Sequence, residues 1–348
     1  MGSCLSGSDQ TGVTKKIILI VAGISLHKMA IVSVIIPNYN HEKFLERRFE
    51  CILQQTFQDF EIIILDDAST DNSRDILERY RRNPKVSEIV YNEQNSGSTF
   101  RQWQKGIEAA KSEWIWIAES DDYCDLNFLE LLAPACNKKQ CVLAYNELSM
   151  VDSHGAVLHL TDSKQSGFIS GKRFLQNHLL DKFILWNAGM LLFRKDIALN
   201  YLSLLNNYVY SGDQMLWSAV ASNGSVYASG KYAAYFLYHE NSLSSRLLFS
   251  KLMYREQLNT YTFLQNNHLI RPAYISKWVK QKMAEVFCAR KGLPSSEFKS
   301  KIRFWRAVAN QNHIAISYQE VWLISKMINL RFAFKKYRQE LIKLLSRK

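Results

Sequence analysis

Three clusters of polar and acidic side chains each close a short apolar run. Pro37-Asn38-Tyr39-Asn40 follows Ile31–Ile36, Asp66-Asp67-Ala68-Ser69 follows Phe60–Leu65, and Glu119-Ser120-Asp121-Asp122 follows Trp114–Ala118. Carboxylates grouped in this way suit a divalent cation. Mg2+ and Mn2+ prefer oxygen ligands and commonly use one or two carboxylates together with phosphate oxygens. Tyr39 offers a flat ring on which a base can stack, and a carboxylate such as Asp67 can accept an N–H. Pro37 shapes its loop and has no backbone N–H to donate. The chemistry on offer is therefore recognition of a nucleotide and its diphosphate.

Each apolar run has the length and the β-branched or aromatic content of a buried strand. Amphipathic stretches separate them, so the order is β-α-β-α and implies a parallel sheet. Ligands bind such sheets outside the carboxyl ends of the strands, which puts Tyr39, Asp67 and Asp122 on one rim. The pattern predicts helices over Glu42–Gln55, from Asp71 (as N-cap) through Tyr80, over Thr99–Ala110 and over Asp125–Lys138. It predicts strands at Glu88–Tyr91 and Cys141–Leu148, and Gly97 permits a tight turn within Asn95–Ser98. From about 149 the elements shorten and look antiparallel, with a strand at Trp186–Phe193, a helix at Gln214–Ala221 and one or two strands in Ser225–His239. From 246 to the end the pattern is helical and basic.

With 348 residues, 47% of them hydrophobic, the chain can bury a sizeable core in one or two domains. Its net charge of +12 is unevenly placed: residues 1–270 carry 26 Lys and Arg against 28 Asp and Glu, residues 271–348 carry 18 against 4. The basic excess belongs to the last quarter and predicts an anionic surface near it. The six cysteines form no CxxC pair and no zinc-like spacing, and are read as reduced thiols, with Cys51 in the core. Residues 1–28 are read as an upstream extension, because the apolar run Ile17–Leu26 is too short to span a bilayer.

The segments Val32–Asn40, Gln54-Gln55-Thr56-Phe57, Phe60–Asp71 and Glu119–Asp122 together resemble a family 2 glycosyltransferase. The resemblance covers about Ile31–Ser245, and several motifs occur in order at family spacing, which is far more specific than one short match. It implies an α/β GT-A fold with a Rossmann-like, mostly parallel central sheet flanked by helices, a nucleotide-sugar donor and inversion at the anomeric carbon. It implies that Tyr39 and Asp67 hold the base, that Asp66, Pro37 and Arg101 border the nucleotide, and that Asp121 binds ribose or a water. Asp122 is then the ligand of Mn2+ or Mg2+. An isolated Gly-Asp before a helix is ordinarily an N-cap, but the resemblance makes Asp213 the base that takes the acceptor's proton. Position 212 is Gly where many relatives carry Glu. His239, in a partial match to a segment that follows the base, is a candidate for the metal or the diphosphate. Ser242 and Ser244 are candidate phosphate donors. Trp186 and Trp217 are candidates for the sugar and acceptor side.

The sequence thus reads as residues 1–28, a GT-A domain over 29–245 and a basic helical region over 246–348. The expected function is transfer of a sugar from a UDP-sugar to a hydroxyl of a glycan or lipid-linked acceptor. Apolar and cationic residues at helical spacing in Trp322–Arg338 suit contact with a lipid surface, and the expected location is cytoplasmic, at the inner face of the membrane. No nucleic-acid-binding module accompanies the charge. Two alternatives stay open: a nucleotidyltransferase, which ordinarily carries a Gly- and basic-rich phosphate loop that Pro37–His41 lacks, and a scaffold that binds a nucleotide sugar without turnover.

Overall fold

The structure, a computed structural model, describes residues 30–179, 184–238 and 250–329. Expectations for residues 1–28, for His239, Ser242 and Ser244, and for the basic stretch beyond 329 lie outside the described residues. The chain divides into two compact units, Met1–Ser245 and Arg246–Lys348.

The first unit is built on one mixed sheet. Its parallel part comprises β1 (Val32–Asn38), β2 (Phe60–Asp66), β3 (Val86–Tyr91) and β4 (Trp114–Ile117), in the order β3-β2-β1-β4. All seven residues of β1 are buried, as a strand covered on both faces requires. Its register with β2 sets Val34 level with Ile62 and Asn38 level with Asp66, while β4 sets Ile117 level with Ile35. These strands therefore end at the same rim, with their polar clusters just beyond. Helices α1 (Glu42–Leu53), α2 (Ser73–Tyr80) and α3 (Thr99–Ala109) make the connections. In α3, a Cβ on Gly106 would stand 2.4 Å from Ile35 Cγ2, so this helix rides against β1 at a distance only glycine allows.

Beyond β4 the directions mix. β5 (Tyr123–Cys124), β6 (Cys141–Val151), β7 (Val157–Leu160), β8 (Gly167–Ser170), β9 (Leu191–Arg194) and β10 (Ser225–Leu237) complete the sheet, in the order β4-β9-β6-β10-β5. β9 is antiparallel to both β4 and β6, whereas β10 is parallel to β6. Three boundaries differ from the sequence reading. Tyr123–Cys124 pairs with β10, and the Asp125 N–H donates to Ala233 O at 3.0 Å, so helix α4 starts only at Phe128 and runs to Cys136. Trp186–Phe193 is not one strand: Ala188–Met190 is a 3-10 turn before β9. Asp71 caps without being the N-cap of α2: its Oδ1 accepts from Ser73 N and its Oδ2 from Glu42 N, both at 3.0 Å, so one carboxylate serves the starts of α2 and α1.

In the second unit, α6 (Lys251–Asn266), α7 (Ala273–Cys288) and α8 (Ser295–Gln311) pack around aromatic residues. Trp278 stacks on Tyr261 at 5.0 Å and meets Trp305 edge-on at 5.2 Å. A further helix covers 318–329 and exposes Tyr318, Trp322, Leu323 and Met327. Among the described residues no helix is long and apolar enough to cross a membrane.

Candidate active site

The rim of the parallel strands is tied together by side chains. Asn38 Nδ2 donates to Asp66 Oδ1 at 2.9 Å, and Asp66 Oδ2 accepts from Ser69 N at 3.1 Å and from Arg74 Nε at 3.2 Å. Asp66 is fully buried. It braces the loop after β2 from behind. The adjoining loops hold two non-glycine residues in the left-handed region, Asn40 at φ 56° and Ala68 at φ 59°. Such backbone costs about 1–2 kcal/mol per residue and is maintained by cross-bonds: Asn40 N to Ser69 Oγ at 2.9 Å and Thr70 N to Asn40 Oδ1 at 2.7 Å. Pro37 is buried level with Leu65 at the end of β1, and Tyr39 next to it is 44% exposed, available to a ligand ring.

Asp67 turns the other way from Asp66. Its Oδ1 accepts from Asn92 Nδ2, from Ser96 N at 2.8 Å and from Gln102 Nε2 at 2.9 Å, and its Oδ2 accepts from Ser96 Oγ at 2.7 Å. Arg101 is exposed and spends Nη1 on Ser96 O at 3.0 Å, bracing the same loop. Asn92, Ser96 and Gln102 were not singled out as site residues in the sequence. The signal available there was the Asn95–Ser98 turn between a strand and a helix at the same sheet edge.

The third cluster sits beside them. His41 Nδ1 lies 2.7 Å from Ser120 Oγ and links the loop after β1 to it. Asp122 is 4% exposed, accepts from Leu237 N at 3.0 Å on Oδ1 and from Asn187 Nδ2 on Oδ2. Burial, with Asp121 beside it, raises the Asp122 carboxyl well above the usual carboxylate range. Burial first, then Asp121, push Glu119 up to about 8, and Asp213 adds to the effect. Trp103 Nε1 donates to Glu119 Oε1 at 2.8 Å, and the Trp103 ring stacks on Trp217 at 5.7 Å. Trp217 belongs to helix α5 (Gly212–Ala221), whose first turn carries Asp213. Helix α5 is thereby keyed to the acid cluster through two indoles. A Cβ on Gly212 would stand 2.7 Å from the Phe100 ring, so Phe100 takes up the space beside residue 212.

The structure thus brings Asp121, Asp122 and Asp213 within electrostatic reach of Glu119, while Tyr39 and Asp67 follow the ends of β1 and β2 on the rim that β4 shares. Trp217 does not join them as a pocket residue: it is fully buried between Trp103 and Phe193, because α5 turns that face to the core. Trp186 is half-buried, stacks on His159 at 4.7 Å and adjoins Asn187, which reaches Asp122. Beneath the cluster Arg48 is fully buried over the Trp116 ring at 4.9 Å, and Cys51 lies 3.5 Å from Cys124, sulfur to sulfur. Among the described residues no group of three or more His, Cys, Asp or Glu side chains is arranged to hold a metal ion by itself. Closely set acids held above their ordinary pKa fit a cation shared with phosphate oxygens, as Mg2+ and Mn2+ usually are.

A half-parallel, half-mixed α/β sheet with acids at the carboxyl rim is a nucleotide-binding architecture, and solved structures share it. The crystal structure of Staphylococcus aureus TarS residues 1–349 in complex with UDP superposes with a TM-score of 0.50 at 18% identity, over 81% of this chain and 88% of that one. The family model described as glycosyl transferase family 2 matches residues 33–197. The chain therefore carries a family 2 glycosyltransferase domain with the GT-A fold. Relatives include the putative teichuronic acid biosynthesis glycosyltransferase TuaG of Bacillus subtilis, 32% identical over 37% of this chain and 50% of its own length. Glycosyltransferase GlyG of Streptococcus pneumoniae is 38% identical over 31% of this chain and 36% of its own length. The poly(ribitol-phosphate) beta-N-acetylglucosaminyltransferase TarS of S. aureus is 35% identical over 28% of this chain and 17% of its own length. The matches span half or less of these relatives' lengths.

Proposed function

We propose that the protein is an inverting glycosyltransferase that moves one sugar from a UDP-sugar to a hydroxyl of a cell-wall or surface polysaccharide. The observation that supports this reading is the acid cluster after β4, where Asp122 and, from a separate helix, Asp213 both act on Glu119, beside the strand end that carries Asp67. Tyr39 stacks on the uracil, and Asp67 accepts its imide N–H. Asp122, with Asp121 beside it, holds Mn2+ or Mg2+; when bound, the ion offsets the charge of the departing diphosphate. Asp213 takes the proton of the acceptor hydroxyl, whose oxygen forms the new bond to C1 as the bond from C1 to the diphosphate breaks and UDP leaves. No protein nucleophile is needed. Trp186, next to the Asn187 that donates to Asp122, serves the acceptor side. The relatives named for teichuronic acid and poly(ribitol-phosphate) support an anionic cell-wall polymer as acceptor.

The test is transfer or donor hydrolysis with a panel of UDP-sugars and Mn2+, followed by mass spectrometry. Asp122→Ala and Asp213→Asn are each expected to lower turnover by about 10²-fold or more. Unchanged turnover in both variants, or no turnover of any UDP-sugar by the wild type, would overturn the reading. We also propose that the second unit touches anionic lipid at the inner membrane face, where a lipid-linked acceptor would be met. The supporting features are the basic excess of residues 271–348 and the exposed Tyr318, Trp322, Leu323 and Met327.

A further inference from the structure

We propose that Gln102 is a positioning residue that sets which pyrimidine the donor site accepts, by fixing which positions of Asp67 remain free to the base. This rests on the donor reading above and deepens it. A carboxylate has about four acceptor positions, two on each oxygen. On Asp67, Oδ1 already receives Asn92 Nδ2, Ser96 N and Gln102 Nε2, whereas Oδ2 receives only Ser96 Oγ. Three donors crowd the two positions of Oδ1, and the position left lies on Oδ2. Gln102 governs both oxygens at once: its amide nitrogen donates to Asp67 Oδ1 at 2.9 Å and to Ser96 Oγ at 3.0 Å, and that hydroxyl in turn donates to Oδ2. Gln102 is 3% exposed, and its Oε1 is buried with no hydrogen-bond partner. The amide cannot turn over, since Oε1 would then face Oδ1, one acceptor against another. The network therefore surrounds Asp67 with donors and keeps it an acceptor. Uridine, whose N3 carries a proton, satisfies the free position; cytidine, whose N3 is itself an acceptor, leaves two lone pairs opposed.

Exchanging the amide for an acid reverses the logic. In Gln102→Glu two carboxyl groups meet at hydrogen-bond distance and one proton bridges them, as in paired carboxylates; a second proton, taken up from solvent as the pH falls, lets Asp67 Oδ2 present O–H to a cytosine N3. Calorimetric titration of the full chain with UDP and with CDP reads the effect as a ratio of dissociation constants. The wild type is expected to favour UDP by about ten- to a hundredfold. Gln102→Glu is expected to narrow the ratio by about tenfold, and further as the pH is lowered. Gln102→Leu, which only removes the donor, is expected to narrow it without pH dependence and serves alone if the acid variant fails to fold. A merely structural role would weaken both nucleotides alike and leave the ratio unmoved, and that result overturns the proposal. A wild type that binds neither nucleotide would instead sink the donor reading itself.

Discussion

Asp66 and Asp67 share a side chain and a peptide bond and do unlike work. Asp66 faces Asn38, Ser69 and Arg74 and stabilises the loop after β2, whereas Asp67 faces the 92–102 segment. A doubled acid at a strand end announces a site, but the sequence does not say which member turns inward, because that depends on partners some thirty residues away. Glu119 illustrates a second limit. It reads as the outer position of an acidic motif, yet burial and the neighbouring Asp121 hold its carboxyl near 8, against the Trp103 N–H, which favours the charged form. The sign follows from the shift: folding keeps a proton on Glu119 that the unfolded chain releases, so this stability is present at low pH and is lost as the pH rises through about 8. Urea denaturation of the metal-free protein at pH 6 and pH 8 is expected to show a smaller pH-dependent loss in Glu119→Gln than in the wild type. The difference is bounded by about 1.4 kcal/mol per pH unit.

At the scale of elements, the parallel half of the sheet was legible because β1, β2 and β4 are buried on both faces and read as continuous apolar runs. The half after Cys141 was less so. β5 is two residues long, and Trp186–Asn187 leaves the strand path because Asn187 reaches Asp122 while Trp116 Nε1 binds Gly189 O at 3.0 Å. These long-range bonds leave no periodic trace. The assignment of Trp217 to the pocket failed for a related reason: in an almost wholly buried helix such as α5, periodicity does not separate the face toward the site from the face toward the core. The contact of α3 with β1 makes a definite prediction. Alanine is the better helix former, yet Gly106→Ala is expected to destabilise by about 1–3 kcal/mol, because its methyl would overlap Ile35 in the core. The denaturant midpoint measures it, and Ile35→Val in the same chain should recover part of the loss.

At the scale of the whole molecule, the charge is segregated: residues 1–270 are close to neutral and residues 271–348 strongly basic. The full chain is expected to sediment with phosphatidylglycerol-rich vesicles at low salt, to stay in solution with phosphatidylcholine vesicles, and to be released at high salt. Trp322→Ser should weaken the binding without changing donor hydrolysis. The matched level of Asn38 and Asp66 has a consequence for how such a molecule can vary. Strand residues alternate in direction, so deleting a single residue within β2 would turn Asp66 to the face that Asp67 now takes and Asp67 to the face of Asp66. Changes of length are consequently barred from the strands and confined to the turns, and new specificities must be acquired by exchanging side chains at fixed addresses.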